Sequence, residues 1–492
     1  MPDCFEILHK DLAGRIGRLQ TPHGAVETPA LMPVINPHLR IIEPKELKEL
    51  GAEILITNSY IINQDASLKE LALFRGLHDI IGFDGPIMTD SGAFQLSVYG
   101  DINVSPLDIL LFQQAISSDI CVPLDIPTPP DVSLRRAEDE LMETERRLIE
   151  ARSHDISPLL MAGPVQGSTY PHLREQAARR LRDLLFDVYP IGGVVPLMEA
   201  YRFRELIDVI AAAKRALGPG VPVHLFGAGH PMIFALAAAL GCDLFDSAAY
   251  ALYARDGRYI TSGGTWRLEE MRYLPCNCDV CRNHSAEELQ KSPDRQTLLA
   301  RHNIGASFAE MRLVRQHIIE GSLWELIERR CASHPRMIEA LRALAKGCRE
   351  LETLDRATKS TFFYLGPASA SRPEVIRYQS RIGRLSLAGR VLVTDGRKPE
   401  EWAGFDHVLA WKPPFGPYPR ELSEVYPFNA EVPDEPDQEA VKSAMNNLRL
   451  LMQANPTASF ELRLRSPAVS GPIDVAEDKG SEGLDLMTRR GA

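Results

Sequence analysis

The sequence predicts an α/β fold: a (β/α)8 TIM barrel with a zinc-binding insertion, followed by a smaller α/β C-terminal domain. Three observations lead there. Short β-branched apolar runs alternate with helix-like spans through the first half of the chain, and that alternation means a parallel sheet. The runs number eight, the count at which such a sheet closes into a barrel. Beyond residue 350 the composition changes and a second α/β pattern begins.

The eight runs lie at 30–34, 53–57, 86–89, 119–124, 158–162, 191–195, 221–226 and 243–245, and each is too short for a helix. Helix-like periodicity occupies 134–153, 173–188, 204–217 and 231–240 between them. These elements assign 1–350 to the barrel domain, with an insertion near 273–305 and helices at 308–320 and 323–330. Thr361-Phe-Phe-Tyr-Leu-Gly366 opens the second α/β region, 351–465, which carries the loop Trp411-Lys-Pro-Pro-Phe-Gly-Pro-Tyr-Pro419. Residues 466–492 are rich in Ser, Gly, Pro, Asp and Glu, a composition expected to be disordered.

The bulk numbers narrow the class. A chain of 492 residues, 45% hydrophobic and 25% charged, reads as a folded globular protein. No apolar run reaches the length of a membrane span, and the first ten residues lack a basic-then-apolar leader, so the expected location is the cytoplasm. The net charge of −11 argues against a nucleic-acid partner, although local patches count for more than the total. Basic stretches at 174–182 and 312–330 fall on helical sequence, where a solvated face is the plainer explanation.

Cys276-Asn-Cys278-Asp-Val-Cys281 concentrates three of the eight cysteines. The C-x-C-x2-C spacing presents three sulfurs to one ion, and a tetrahedral zinc takes a fourth ligand from elsewhere. His302 is the candidate, with His284 as its competitor. A full ligand set leaves no open position, so the expected ion is one structural zinc. Cys4, Cys121, Cys242, Cys331 and Cys348 are scattered and read as free thiols.

Reactive groups of such a barrel sit where strands end and βα loops begin. Asp90 follows the third run, Asp125 the fourth and Gln166 the fifth; the sixth contains Gly192-Gly193-Val194-Val195, and the eighth ends in Asp246. Any one aspartate is as well explained as a helix N-cap. Three carboxylates, an amide and exposed glycine backbone on one rim are not. Such a set matches the donors and acceptors of a planar heterocycle, Phe94 offers a stacking face, and a further carboxylate near C1′ of a sugar can form a glycosyl ester. The residues alone point to acid-assisted or nucleophilic chemistry on a purine-like glycoside.

The wording of these segments resembles the tRNA-guanine transglycosylases, and the archaeal type in particular. The resemblance is carried by Thr89-Asp90-Ser91-Gly92-Ala93-Phe94-Gln95, Leu124-Asp125-Ile126-Pro127-Thr128, Val165-Gln166-Gly167, Ile191-Gly-Gly-Val-Val-Pro196, Asp243-Leu-Phe-Asp246-Ser247 and the cysteine cluster. It covers roughly residues 5–350, with the motifs in order. It implies that Asp246 is the nucleophile, Asp90 the general acid/base, and Asp125, Gln166, Gly193, Val194, Ser91 and Phe94 the base-binding groups. It implies exchange of the guanine at position 15 of the tRNA D-loop for 7-cyano-7-deazaguanine, in archaeosine biosynthesis. The base would leave its stack to enter the pocket.

Val194-Val195-Pro196 and the region beyond 350 favour this over the queuine-type enzyme, which acts on the anticodon wobble guanine. The PUA domain that the family often carries is not recognised in the sequence, so a separate PUA-type protein is an expected partner; a homodimer is left open. Other candidates are a paralogue acting at a later step and a non-catalytic zinc-stabilised tRNA-binding subunit. The intact acid set weighs against both. A metal-dependent hydrolase would need histidine-rich strand ends, and His224 is the one strand histidine here.

Overall fold

The structure, a computed structural model, describes residues 4–93, 105–396, 402–464 and 471–472. It divides into two compact units, residues 1–359 and 360–492.

In the first unit, eight parallel strands form one sheet: β4 (Ala30–Ile35), β5 (Leu55–Asn58), β6 (Ile87–Asp90), β7 (Ile120–Cys121), β8 (Leu160–Met161), β9 (Tyr189–Ile191), β10 (Val223–Leu225) and β11 (Leu244–Ser247). β4 pairs with both β5 and β11. The remaining edges, β8 and β9, meet through the bridges Ala162↔Val188 and Val165↔Ile191, which closes the barrel. Met32, Ile56, Met88, Ile120, Val122, Ala162, Val188 and Leu244 fill a buried core cluster. These small and branched side chains pack the barrel solid rather than leaving a pore.

All eight expected strands exist, but five of them, β5 and β7 to β10, are shorter than the apolar runs. β7 stops at Cys121, two residues before Pro123, which has no N–H to give the ladder. The sixth strand ends at Ile191: Gly192 and Gly193 lie outside it, and Val195–Glu199 is already helical. Gly193 has φ +70°, the left-handed conformation that breaks a strand and favours glycine.

A three-stranded antiparallel sheet, β1 (Phe5–Asp11), β2 (Gly14–Thr21) and β3 (Gly24–Thr28), precedes the barrel and was not anticipated. Leu19 and Val26 from it join the barrel core. The Arg15 guanidinium reaches Asp243 at 2.6 and 2.8 Å and the carbonyls of Pro219 and Val221. Only Ile7 and Leu8 of β1 are exposed large apolar residues, so its outer face gives the sequence little alternation to read.

After β11 come β12 (Arg258–Thr261) and β13 (Gly264–Arg267), an antiparallel hairpin, and then the helix Arg295–Glu320. That helix runs straight through Gly305, which was expected to close the insertion. Buried Leu299, Ile304, Phe308, Met311, Val314 and Ile318 keep helical spacing across the glycine, and burial of that stripe outweighs its roughly 1 kcal/mol propensity cost.

The compact units part at 359/360, nine residues beyond the expected boundary. Asp355 accepts the Leu12 N–H at 2.8 Å, and the Lys359 ammonium lies 2.7 Å from Asp11 and 3.1 Å from Asp355, all buried. These contacts bind 355–359 to the first unit.

The second unit holds a five-stranded sheet in the order β16-β15-β14-β17-β18, from β14 (Arg390–Thr394), β15 (His407–Lys412), β16 (Gly416–Pro419), β17 (Ser459–Arg463) and β18 (Gly471–Pro472). The helix Gln438–Ala454 caps through Asp437 and buries Leu448 and Leu451 against Val391, Val393 and Phe460. A second core gathers Phe362, Phe415, Tyr418 and Phe428. The expected disordered tail falls outside the described residues apart from β18.

Candidate active site and metal centre

Register places the candidate acids at one end of the barrel. Asp90 pairs with Asn58 across β6 and β5, and Asp246 with Met32 across β11 and β4. Asp125 and Gln166 stand just beyond the ends of β7 and β8. The capping alternative fails for two of the three aspartates. The helix after Asp246 has Ala248 as its N-cap residue, with the Ala249 N–H bonded to Ser247 Oγ and not to Asp246, and no helix starts after Asp125 until Leu134.

Asp90 terminates β6 partly buried. Asn58 Nδ2 donates to its Oδ2 at 3.2 Å, while Ser59 Oγ donates to its backbone carbonyl at 2.7 Å. Loss of water, reinforced by the negative charges of Asp125 and Asp246, raises its pKa to about 7; the Ser91 and Gly92 N–H groups oppose this. Asp90 thus feels both of the other carboxylates at this end of the barrel. Ser91 is fully buried, with Oγ 3.5 Å from the Pro123 carbonyl. Phe94 lies outside the described residues.

Asp125 is buried, and burial lifts its pKa to about 6 against a 2.6 Å hydrogen bond from Gln166 Nε2. Gln166 Oε1 faces the glycine pair without a partner among the described residues. A Cβ on Gly192 would meet Gln166 Nε2 at 2.2 Å, and one on Gly193 would meet the Thr128 carbonyl at 2.8 Å and Gln166 Oε1 at 3.1 Å. Glycine is required at Gly193 by its φ and the Thr128 carbonyl, while a side chain at position 192 would displace the Gln166 amide. Val194 follows, fully buried, as the N-cap residue of Val195–Glu199.

Arg174 belongs to this site, not to a solvated face. It is wholly buried, donates from Nε to Ser168 O at 2.8 Å and from Nη1 to Val165 O at 2.6 Å, and so fixes the loop bearing Gln166. Burial lowers its pKa to about 9, opposed by the charge of Asp125. Two arginines of the other basic stretch are held in ion pairs, Arg315 with Glu27 and Glu53, and Arg330 with Glu310.

Asp246 is 7% exposed, and one of its oxygens is doubly held. His224 Nε2 lies 2.8 Å and the Gly227 N–H 2.7 Å from Oδ1. Neither His224 nor Asn58 was assigned a role from the sequence. Each lies on the strand beside its carboxylate, a lateral relation that spacing along the chain does not encode.

The metal centre is assembled from a loop and two helices. Cys276 and Cys278 lie in the loop, Cys281 in the short helix Asp279–Asn283, and His302 in the second turn of Arg295–Glu320. The four ligand atoms lie within 4.8 Å of one another; His302 Nδ1 is 3.5 Å from Cys278 Sγ and 3.4 Å from Cys281 Sγ. These separations fit one tetrahedral ion with sulfurs about 2.3 Å and nitrogen about 2.0 Å from it. His302 Nε2 donates to the Ile260 carbonyl at 2.9 Å, which leaves Nδ1 free as a ligand. Tyr259 stacks on His302 at 3.6 Å, and its hydroxyl lies 3.2 Å from Cys281 Sγ. His284, the competing ligand, instead bonds the Val280 carbonyl at 3.0 Å.

His23, His78 and Asp119 also converge, at the other end of the barrel strands. There each oxygen of Asp119 already takes one backbone N–H and one imidazole nitrogen, a self-contained structural set.

Fold and site define a class: a (β/α)8-barrel enzyme with carboxylates, an amide and glycine backbone gathered at the strand ends, and a Cys3His group able to hold a metal ion. Residues 11–336 match the family described as queuine tRNA-ribosyltransferase, and the chain belongs to that family of tRNA-modifying transferases. Curated relatives carry the name tRNA-guanine(15) transglycosylase. One from Methanosarcina barkeri is 60% identical over 460 residues, 94% of each chain. One from Haloferax volcanii is 50% identical over 497 residues, spanning 100% of this chain and 96% of the relative. One from Archaeoglobus fulgidus is 48% identical, over 93% of this chain and 95% of its own.

Proposed function

We propose that this enzyme exchanges the guanine at position 15 of the tRNA D-loop for 7-cyano-7-deazaguanine, through a covalent aspartyl-ribosyl intermediate. The relatives' printed name supports the position. The chemistry rests on one observation: Asp90, Asp125 and Asp246 gather at the same end of the barrel strands, where burial and the two neighbouring charges raise the pKa of Asp90 to about 7. A group poised there can hold a proton for a leaving base and take one back.

In this scheme the Asp246 carboxylate attacks C1′ as the C1′–N9 bond breaks, and the bond's electron pair leaves with guanine. Asp90 delivers the proton that neutralises the departing base. The phosphodiester chain is not touched. Asp90, now a carboxylate, takes the proton from the incoming base, whose nitrogen displaces Asp246 from C1′. Asp125 and Gln166 read the base's N–H and carbonyl edge, with Gly193 and Val194 backbone and Ser91 beside them; Phe94 is the stacking ring. Residues Cys276, Cys278, Cys281 and His302 would hold one zinc ion, which organises the 273–305 segment and takes no part in bond making. A separate PUA-type protein would add tRNA contact; a gel shift with and without it should differ, and equal binding counts against it.

The test is exchange of labelled guanine into tRNA with the D-loop and anticodon guanines replaced separately. Loss only with the D-loop replacement is expected. Loss only with the anticodon replacement would move the enzyme to the wobble-guanine reaction. A denaturation-resistant tRNA adduct should form with the wild type and vanish in Asp246→Asn.

A further inference from the structure

We propose that His224 and the Gly227 N–H form a two-donor clamp on Asp246 Oδ1, which makes Oδ2 the attacking oxygen and makes the carboxylate a better leaving group in the second half of the exchange. This rests on the assignment of Asp246 as nucleophile. It adds a positioning residue that the family match does not specify.

The argument starts from geometry. Oδ1 already lies within hydrogen-bond reach of two nitrogens, His224 Nε2 at 2.8 Å and Gly227 N at 2.7 Å. The Gly227 amide can only donate. An ionised Asp246 can only accept, so His224 carries its proton on Nε2. With both donors on Oδ1, the oxygen free to meet C1′ is Oδ2. His224 is fully buried on β10, and Phe226 lies 4.4 Å away, ring to ring. Its Nδ1 has no partner among the described residues. A buried imidazole with one nitrogen unsatisfied is a costly way to fill a core position. The contact it makes with its other nitrogen is the compensating one.

The consequence for the reaction is asymmetric. When Oδ2 bonds to C1′, Oδ1 becomes an ester carbonyl and loses most of its negative charge. The clamp therefore binds the free carboxylate more strongly than the ester. It restrains the first step slightly and assists the second, in which the nitrogen of the incoming base forms its bond to C1′, the C1′–Oδ2 bond breaks, and the electron pair returns to the carboxylate. Donors preorganised toward developing negative charge typically contribute on the order of 10- to 1000-fold in rate.

The test compares His224→Phe and His224→Met, which keep bulk without a donor, with His224→Gln, which can donate from a similar distance. The expected result for the first two is a base-exchange kcat lower by about 10-fold or more, together with a larger fraction of enzyme trapped as tRNA adduct at steady state. His224→Gln should restore part of both. A merely structural role would lower activity and adduct together, so a parallel fall with no accumulation overturns the clamp. So does unchanged exchange in a donor-free variant. If one donor-free variant does not fold, as read by thermal melting, the other and the Gln variant decide. If Asp246→Asn itself retains the adduct, the nucleophile assignment has failed, and not the clamp alone.

Discussion

Asp90 sets the pH behaviour of the site, and the sign follows from where its pKa sits. The folded value is about 7, above the ordinary carboxylate value near 4. A group raised in this way contributes its stability below about pH 4 and loses it as the pH rises through about 7. Asp90→Asn should therefore stabilise the fold at pH 8 by about 1–2 kcal/mol, once partial exposure is allowed for, and raise the melting temperature there. The gain should shrink towards pH 4 while exchange is abolished. Thermal unfolding of both proteins at pH 4, 6 and 8 checks this; an equal gain at every pH would refute the protonation argument. Asp90, Asp125 and Asp246 were legible in the sequence because each stands where an apolar run ends. Arg174 is hidden from a sequence reading because its neighbours Arg179, Arg180 and Arg182 suggest a solvated face, whereas the Val165 and Ser168 carbonyls of the preceding loop draw it inward.

At the scale of elements, the Cys3His group, able to hold a metal ion, joins a loop and two helices. Asn303, next to His302, accepts the Ile260 N–H at 2.9 Å and donates to the Arg258 carbonyl at 3.0 Å. One stretch of the helix Arg295–Glu320 thus holds the metal ligand and the hairpin β12–β13 together. Chelation, or Cys276→Ala, should release the ion and accelerate amide exchange across 258–305, while β4 to β7 stay protected. Metal analysis with hydrogen exchange by mass spectrometry reads both effects, and unaltered exchange in 258–305 would show that the ion supports nothing there. The ligand spacing was plain in the sequence. The helix around His302 was not, because Gly305 interrupts a pattern that only burial of Leu299, Ile304 and Phe308 restores.

At the scale of the whole molecule, the two units have separate cores. Scanning calorimetry should resolve two transitions. Phe415→Ala, which removes a fully buried ring from the second unit, should destabilise that unit by about 3–5 kcal/mol, moving its transition to lower temperature and leaving the other in place. A shift of both by the same amount would mean the units unfold as one. The barrel was readable from alternation alone, since eight strands each flanked by helix leave few other closed arrangements. The boundary at 359/360 was not, because it depends on Asp355 and Lys359 meeting residues near the N-terminus.

The seam of the barrel, where β4 meets β11, has a consequence for synthesis on the ribosome. Ala30 to Pro33 wait for Leu244 to Ser247, more than two hundred residues later, before their strand gains its second neighbour. Arg15 waits as long for Asp243. A nascent chain therefore exposes an apolar strand edge during most of its elongation, the stage at which such edges invite wrong pairing. The last strand to arrive carries Asp246. The fold thus withholds this carboxylate from the barrel mouth until the first strand has found its permanent neighbour.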